Sequence, residues 1–154
     1  MISYTTGDAT NPQGPGPKIV AHVCNDIGAW GRGFVTAVSR RWPEPEATYR
    51  AWHQSGGGFE LGAIRLVPVE PDLWVANMIG QHGIRRRGHS APIRYDALER
   101  CLSRLRDEAM ILHASVHMPR IGAGLAGGSW DRIEPLILTQ LTGHGVAVTV
   151  YDLP

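Results

Sequence analysis

The chain has 154 residues, 43% of them hydrophobic and 19% charged. That length suits one domain spanning 1–154, and the composition excludes a disordered chain. A net charge of +1 excludes a strong field as the basis of an obligate nucleic-acid or anionic-lipid partner, although an anionic small molecule needs only a few local donors.

No run approaches the ~20 apolar residues of a membrane span, and residues 1–7 lack the basic start and apolar run of a signal peptide. Cys24 and Cys101 read as reduced core residues. A cytoplasmic monomer without membrane contact is expected. Lys18 is the single lysine beside fourteen arginines, which leaves little room for lysine-based chemistry.

Residues 2–4 read as a short edge strand, and Gly7-Asp8-Ala9 turns the chain. Residues 11–17 hold three prolines and two glycines, a loop that cannot pair in a sheet. Residues 19–23 form an apolar run ending in polar residues, the pattern of a buried parallel strand that delivers a loop. Residues 34–41 read as a helix that Pro43 terminates, and Pro45 opens a second helix to about Gln54. Residues 63–67 and 73–78 are strand-like, with Pro68 and Pro71 in the turn between them.

Residues 80–92 form a polar, arginine-rich loop. The clearest helix covers 95–113, where Leu98, Leu102, Leu105 and Ala109 make one apolar stripe. Residues 116–118 form a strand followed by a glycine-rich loop. Asp131 and Glu134 have the spacing of a capping box, which starts a last helix running to Leu141, and 146–150 closes as a strand. Strands alternating with helices predict a three-layer α/β fold with a mostly parallel sheet.

Ligands of open α/β sheets bind outside the carboxyl ends of the strands. The loops 24–33, 77–92 and 121–128 fall there, and two of them are glycine-rich and run into helices. Such loops bring backbone N–H groups close to a phosphate, and the following helix N-terminus adds its dipole. Two on one sheet point to a diphosphate held between them. The histidines His53, His89, His113, His117 and His144 show no metal-ligand spacing, so neither a metal nor a cofactor is expected.

The order and spacing of several segments resemble the macrodomains. These are Tyr4-Thr5-Thr6-Gly7-Asp8-Ala9; Ile19-Val20-Ala21-His22-Val23-Cys24-Asn25 leading to Trp30-Gly31-Arg32-Gly33; Met118-Pro119-Arg120-Ile121-Gly122-Ala123-Gly124-Leu125; Gly127-Gly128-Ser129-Trp130; and Val148-Thr149-Val150-Tyr151. The chain is most similar to the branch of the terminal ADP-ribose glycohydrolases, the DNA-directed antitoxin macrodomains and the ADP-ribose-1″-phosphate phosphatases. The resemblance implies a mixed, mostly parallel sheet of about six strands between helices.

It also implies ADP-ribose, or an ADP-ribosylated protein or DNA, as partner. Asp8 would then accept from the adenine amino group and Ala9 N–H would meet a ring nitrogen. Asn25 would meet the distal ribose. Gly31, Arg32 and Gly33 would wrap one side of the diphosphate and distal ribose, with Gly122, Ala123, Gly124 and Leu125 on the other. Tyr151 would lie beside the adenine. Asp8 also reads as a turn-former, and Asn25 as a cap of its own loop.

The branch's hydrolases carry a lysine on the loop after the fourth strand, which attacks C1″, aided in some by an acid near the second phosphate. Here the aligned positions hold Gln81 and Ala126, and an amide nitrogen has no lone pair available for such attack. Lys18 precedes the second strand, at the opposite end. Three readings stay open. The first is hydrolysis by an activated water oriented by Asn25, Asp26, Gln81 or His82. The second is phosphatase action involving His22, which also reads as a hydrogen-bonded core histidine. The third is a module that binds ADP-ribose without cleaving it. Arg85-Arg86-Arg87 could meet nucleic-acid phosphates beside the ribose site, or be a solvated loop.

Overall fold

The computed structural model describes residues 1–88 and 90–154; His89 lies outside them. Six strands are present: β1 (Ile2–Thr6), β2 (Lys18–Asn25), β3 (Ile64–Glu70), β4 (Leu73–Gln81), β5 (Ser115–Met118) and β6 (Val148–Asp152). Four α-helices connect them: α1 (Phe34–Arg41), α2 (Glu44–Ser55), α3 (Tyr95–Leu112) and α4 (Trp130–Gln140), with a short 3-10 turn at Thr142–His144. No helix among the described residues is long and apolar enough to cross a membrane.

The uninterrupted run Ile19, Val20 and Ala21 is fully buried, as a strand covered on both faces requires. It places β2 inside a sheet of order β1-β6-β5-β2-β4-β3. All neighbours pair parallel except β3, which runs antiparallel on the outer side of β4.

One face carries Ala21, Met78, Val116, Met118 and Val150, packed against α3 and α4. The α3 stripe Leu98, Leu102, Leu105 and Ala109 is buried there as the spacing predicts, each leucine contributing about 2 kcal/mol of burial. The other face buries Val20 and Val75 against Val38 of α1 and Tyr49 of α2.

Several element boundaries differ from the sequence expectation, among them β6, which runs 148–152 where 146–150 is expected, and three have a direct physical reason. Strand β3 runs on through Pro68 to Glu70, with a register shift between them; an edge strand tolerates a residue that cannot donate. Strand β4 extends beyond Met78 to Gln81, because Gln81 bridges Ile93 and its carbonyl accepts from the Asp26 amide at 3.0 Å. Helix α4 starts at Trp130 behind Ser129, and no side-chain cap is made. Glu134, the expected capping partner, is instead the acceptor of the Tyr4 hydroxyl.

The topology fixes where a ligand can sit. Strands β2 and β5 are neighbours, yet the chain leaves β2 toward α1 on one face and β5 toward α4 on the other. A crevice opens where adjacent strands send their connections to opposite faces.

Candidate functional site

That crevice is a cavity of about 610 Å³. The loop after β2 and helix α1 form one wall, including Arg32, Gly33, Phe34, Val35 and, in the last turn of the helix, Arg40. The loop after β5 forms the other, through Gly122, Gly124, Leu125 and Ala126. The amides of those four residues donate to no carbonyl among the described residues. Unspent N–H groups in such a concavity attract anions, as do the three lining arginines, Arg32, Arg40 and Arg120.

The second wall keeps its shape by close backbone contact. The Gly128 amide donates to the Gly122 carbonyl at 2.7 Å. A Cβ on Gly128 would lie 2.5 Å from that same oxygen. Gly122 itself is left-handed, at φ 71, and a Cβ there would meet Ile93 Cδ1 at 2.9 Å. Both positions therefore require glycine.

Asp8, Ala9 and Tyr151 line the far end. Asp8 also forms the local turn: its Oδ1 accepts from the Thr10 amide and hydroxyl, both at 2.8 Å. Tyr151 is buried, and its hydroxyl accepts from the Gln13 amide at 3.0 Å and meets His117 Nδ1 at 2.7 Å. His117 Nε2 lies 2.7 Å from Ser115 Oγ. Burial holds the His117 ring down to about pH 4, keeping it neutral. Arg120 reaches Asp152 through two bonds, 2.7 and 3.0 Å, while lying over the rings of Tyr4 and Trp130.

The cavity thus brings together Asp8, Ala9, His22, Arg32, Gly33, Gln81, Gly122, Gly124, Leu125 and Tyr151. Asn25, Asp26, Gly31, His82 and Ala123 stand outside its lining. The Asn25 side chain holds its own loop. Its Oδ1 accepts from the amides of Ile27 and Ala29, both at 3.1 Å, and the single proton of the Tyr49 hydroxyl is shared between it, at 2.8 Å, and the Asn25 backbone carbonyl, at 2.7 Å. Its Nδ2 donates to the Ala29 carbonyl at 2.5 Å. Both lone pairs of Oδ1 are thereby taken within the loop, while Nδ2 keeps a second N–H.

His22 is 2% exposed. The Asn77 amide nitrogen donates to the Pro45 carbonyl at 3.1 Å, so the Asn77 oxygen must accept from His22 Nε2 at 2.6 Å. Burial lowers the pKa of this ring to about 4. It is a neutral core histidine with one edge at the cavity. Asp26 and His82 meet at 2.7 Å above the strand ends. Burial would raise the Asp26 carboxyl, but the Gly83 amide and His82 outweigh it and hold it below the usual carboxylate range.

Sequence reasoning missed Phe34, Val35, Arg40 and Arg120. The signal for the first three was available, since helix α1 starts directly after the glycine loop. Arg120 carried none, because its place depends on Asp152 and Tyr4, brought near only by the pairing of β6 with β1.

Comparison with known proteins decides the family. A macrodomain protein from Streptomyces coelicolor is 58% identical in sequence, and the match covers 99% of both chains with a TM-score of 0.89. This chain belongs to the macrodomain family. A macrodomain of this size also matches a protein of unknown function from Bacteroides thetaiotaomicron, 52% identical over 99% of this chain and 98% of that one, TM-score 0.98.

A curated relative, mouse chromodomain-helicase-DNA-binding protein 1-like, is 34% identical over 99% of this chain, which spans only 18% of that protein's length. More distant relatives include the ADP-ribose 1″-phosphate phosphatase of Meyerozyma guilliermondii, 25% identical over 97% of each chain. Another is Thermosipho africanus DarTG, solved in complex with ADP-ribose; it is 19% identical over 90% of this chain and 38% of that one, with a TM-score of 0.73. No family model matches the chain.

Proposed function

We propose that this macrodomain binds ADP-ribose and hydrolyses the ADP-ribosyl linkage of a modified macromolecule, at an acidic side chain or a DNA base, by an activated water. The observation that carries this is the wall of unspent amides at Gly122, Gly124, Leu125 and Ala126 facing the first turn of α1 across a cavity that ends at Gln81. The diphosphate lies between those walls, with adenine between Asp8 and Tyr151 and the distal ribose toward Gln81.

Water replaces the family's lysine as nucleophile. Its oxygen bonds to C1″ as the bond from C1″ to the carrier breaks, and the carrier oxygen or nitrogen departs with the bonding pair. The proton lost by the water passes to the carrier or to solvent. Gln81 is the cavity-lining polar group at the lysine position, and a carboxamide orients water without titrating. The exposed Arg85 and Arg87 follow it on the next loop, where phosphates of a nucleic-acid carrier would pass.

The test is incubation with glutamate-linked and thymidine-linked ADP-ribose and with ADP-ribose-1″-phosphate, followed by chromatography of the products. Release of ADP-ribose is expected, slowed more than ~tenfold in Gln81→Ala. Binding of ADP-ribose without release from any substrate would make the protein a reader. Release of phosphate alone would make it a phosphatase, the activity named for the Meyerozyma relative.

A further inference from the structure

We infer that Asp26 is a positioning residue, which holds Gly83 and through it turns the carboxamide oxygen of Gln81 toward the cavity. This rests on the hydrolytic reading above, with Gln81 as the group that orients the water.

The geometry forms a closed set of bonds around one carboxylate. Gln81 Nε2 donates to the Gly83 carbonyl at 2.9 Å. A carbonyl can only accept, so this bond takes one of the two Nε2 protons and fixes which end of the carboxamide is nitrogen, leaving its oxygen as the acceptor for a group in the cavity. The Gly83 amide donates to Asp26 Oδ1 at 2.8 Å. His82 Nδ1 donates to Asp26 Oδ2 at 2.7 Å. The Asp26 amide returns to the Gln81 carbonyl at 3.0 Å. Residues 81–83 are therefore folded around the Asp26 side chain, which is 17% exposed.

The orientation matters because the two ends of a carboxamide have opposite effects on a nucleophile. An oxygen facing the water accepts one of its protons and leaves an oxygen lone pair free for C1″. A nitrogen facing it would donate to that lone pair and occupy it. The backbone of Gln81 and His82 is also tied to the next segment, by the bridge to Ile93 and by the His82 amide to the Pro92 carbonyl at 2.8 Å, so Asp26 acts on the Gly83 end. Asp26 stands outside the cavity lining, so it acts through Gly83 and not on the substrate.

The experiment uses Asp26→Ala, Asp26→Asn, Gln81→Ala and the Asp26→Ala/Gln81→Ala double variant, each checked for folding by thermal denaturation. Asp26→Ala is expected to lower kcat by roughly tenfold to a hundredfold, with the dissociation constant for free ADP-ribose changed no more than about twofold. Asp26→Asn keeps an acceptor for the Gly83 amide and should retain more of kcat than Asp26→Ala. The double variant should be no slower than Gln81→Ala. In ¹⁵N spectra, the Gln81 side-chain amide, assigned by its loss in Gln81→Ala, should move toward its free-glutamine position in Asp26→Ala.

An additive double variant, or a Gln81 amide signal unmoved by Asp26→Ala, would overturn the inference. Should the wild type release nothing from any substrate, the hydrolytic reading falls, while the amide spectrum still decides whether Asp26 orients Gln81.

Discussion

Replacing Gly128 by Ala tests the construction of the glycine-rich wall most directly. The new Cβ would stand 2.5 Å from the Gly122 carbonyl oxygen and 3.1 Å from Ile133 Cδ1. The isoleucine can rotate, but the carbonyl is backbone, so the loop itself must move. Overpacking of this kind costs roughly 1–3 kcal/mol, and the 2.7 Å bond from Gly128 N to Gly122 O is lost with it, adding about 1 kcal/mol. For a chain of this size the sum lowers Tm by roughly 5–15 °C. Displacing the wall also removes charge-assisted bonds from its amides to the diphosphate, each about 1.5–3 kcal/mol, so ADP-ribose binding should weaken at least ~tenfold.

Thermal denaturation and titration calorimetry read the two effects. Gly57→Ala is the control: its Cβ would meet nothing within 4 Å and its φ is not positive, so Tm should stay within what ~0.5 kcal/mol allows. A Gly128→Ala protein with wild-type Tm and affinity would refute the argument, because it would mean that the two glycines do not fix the wall.

Two further outcomes follow from buried side chains. Tyr151→Phe removes the partner of the Gln13 amide and of His117 Nδ1; folding stability should fall by about 1–3 kcal/mol in urea denaturation, and ADP-ribose affinity with it, whereas unchanged values would place neither residue in need of that hydroxyl. Folding stability should also depend on pH through His22. The buried ring takes its proton only near pH 4, the unfolded one near 6.5. The unfolded state binds more protons between those values, so stability is full above about 6.5 and lost as pH falls toward 4, by about 3 kcal/mol for this group. Urea midpoints measured between pH 7.5 and 4.5 should drop, and His22→Gln should flatten part of the slope. A pH-independent midpoint in the wild type would contradict a neutral His22.

Much of the fold was legible because its signals are local. Helix α1 has the bounds its sequence predicts, and every α3 stripe residue is buried. The glycine loops were legible as a site because they follow strands that end at the same edge of the sheet. What escaped depended on partners distant in sequence. Asn25 reads both as a ribose ligand and as a cap of its own loop; what escaped is Tyr49, from α2, whose hydroxyl joins that loop to the helix. Pro68 reads as a turn until β3 is known to be an edge strand. Glu134 reads as a capping residue until Tyr4, on β1, comes within reach of it.

The pairing of β1 with β6, in which Ile2 lies beside Val148, bears on how the protein folds. Asp8 follows β1 and Tyr151 belongs to β6, so the part of the cavity that they line exists only after a contact spanning nearly the whole sequence has closed. Contacts of that range form late, because their loop entropy is met before they return any energy. A ligand seated between Asp8 and Tyr151 ties those two strands together and stabilises the folded state by RT ln(1 + L/Kd), where L is its free concentration. Under conditions that fray β1, the protein should therefore hold its sheet closed in the presence of ADP-ribose and lose the wall at Asp8 and Tyr151 first in its absence.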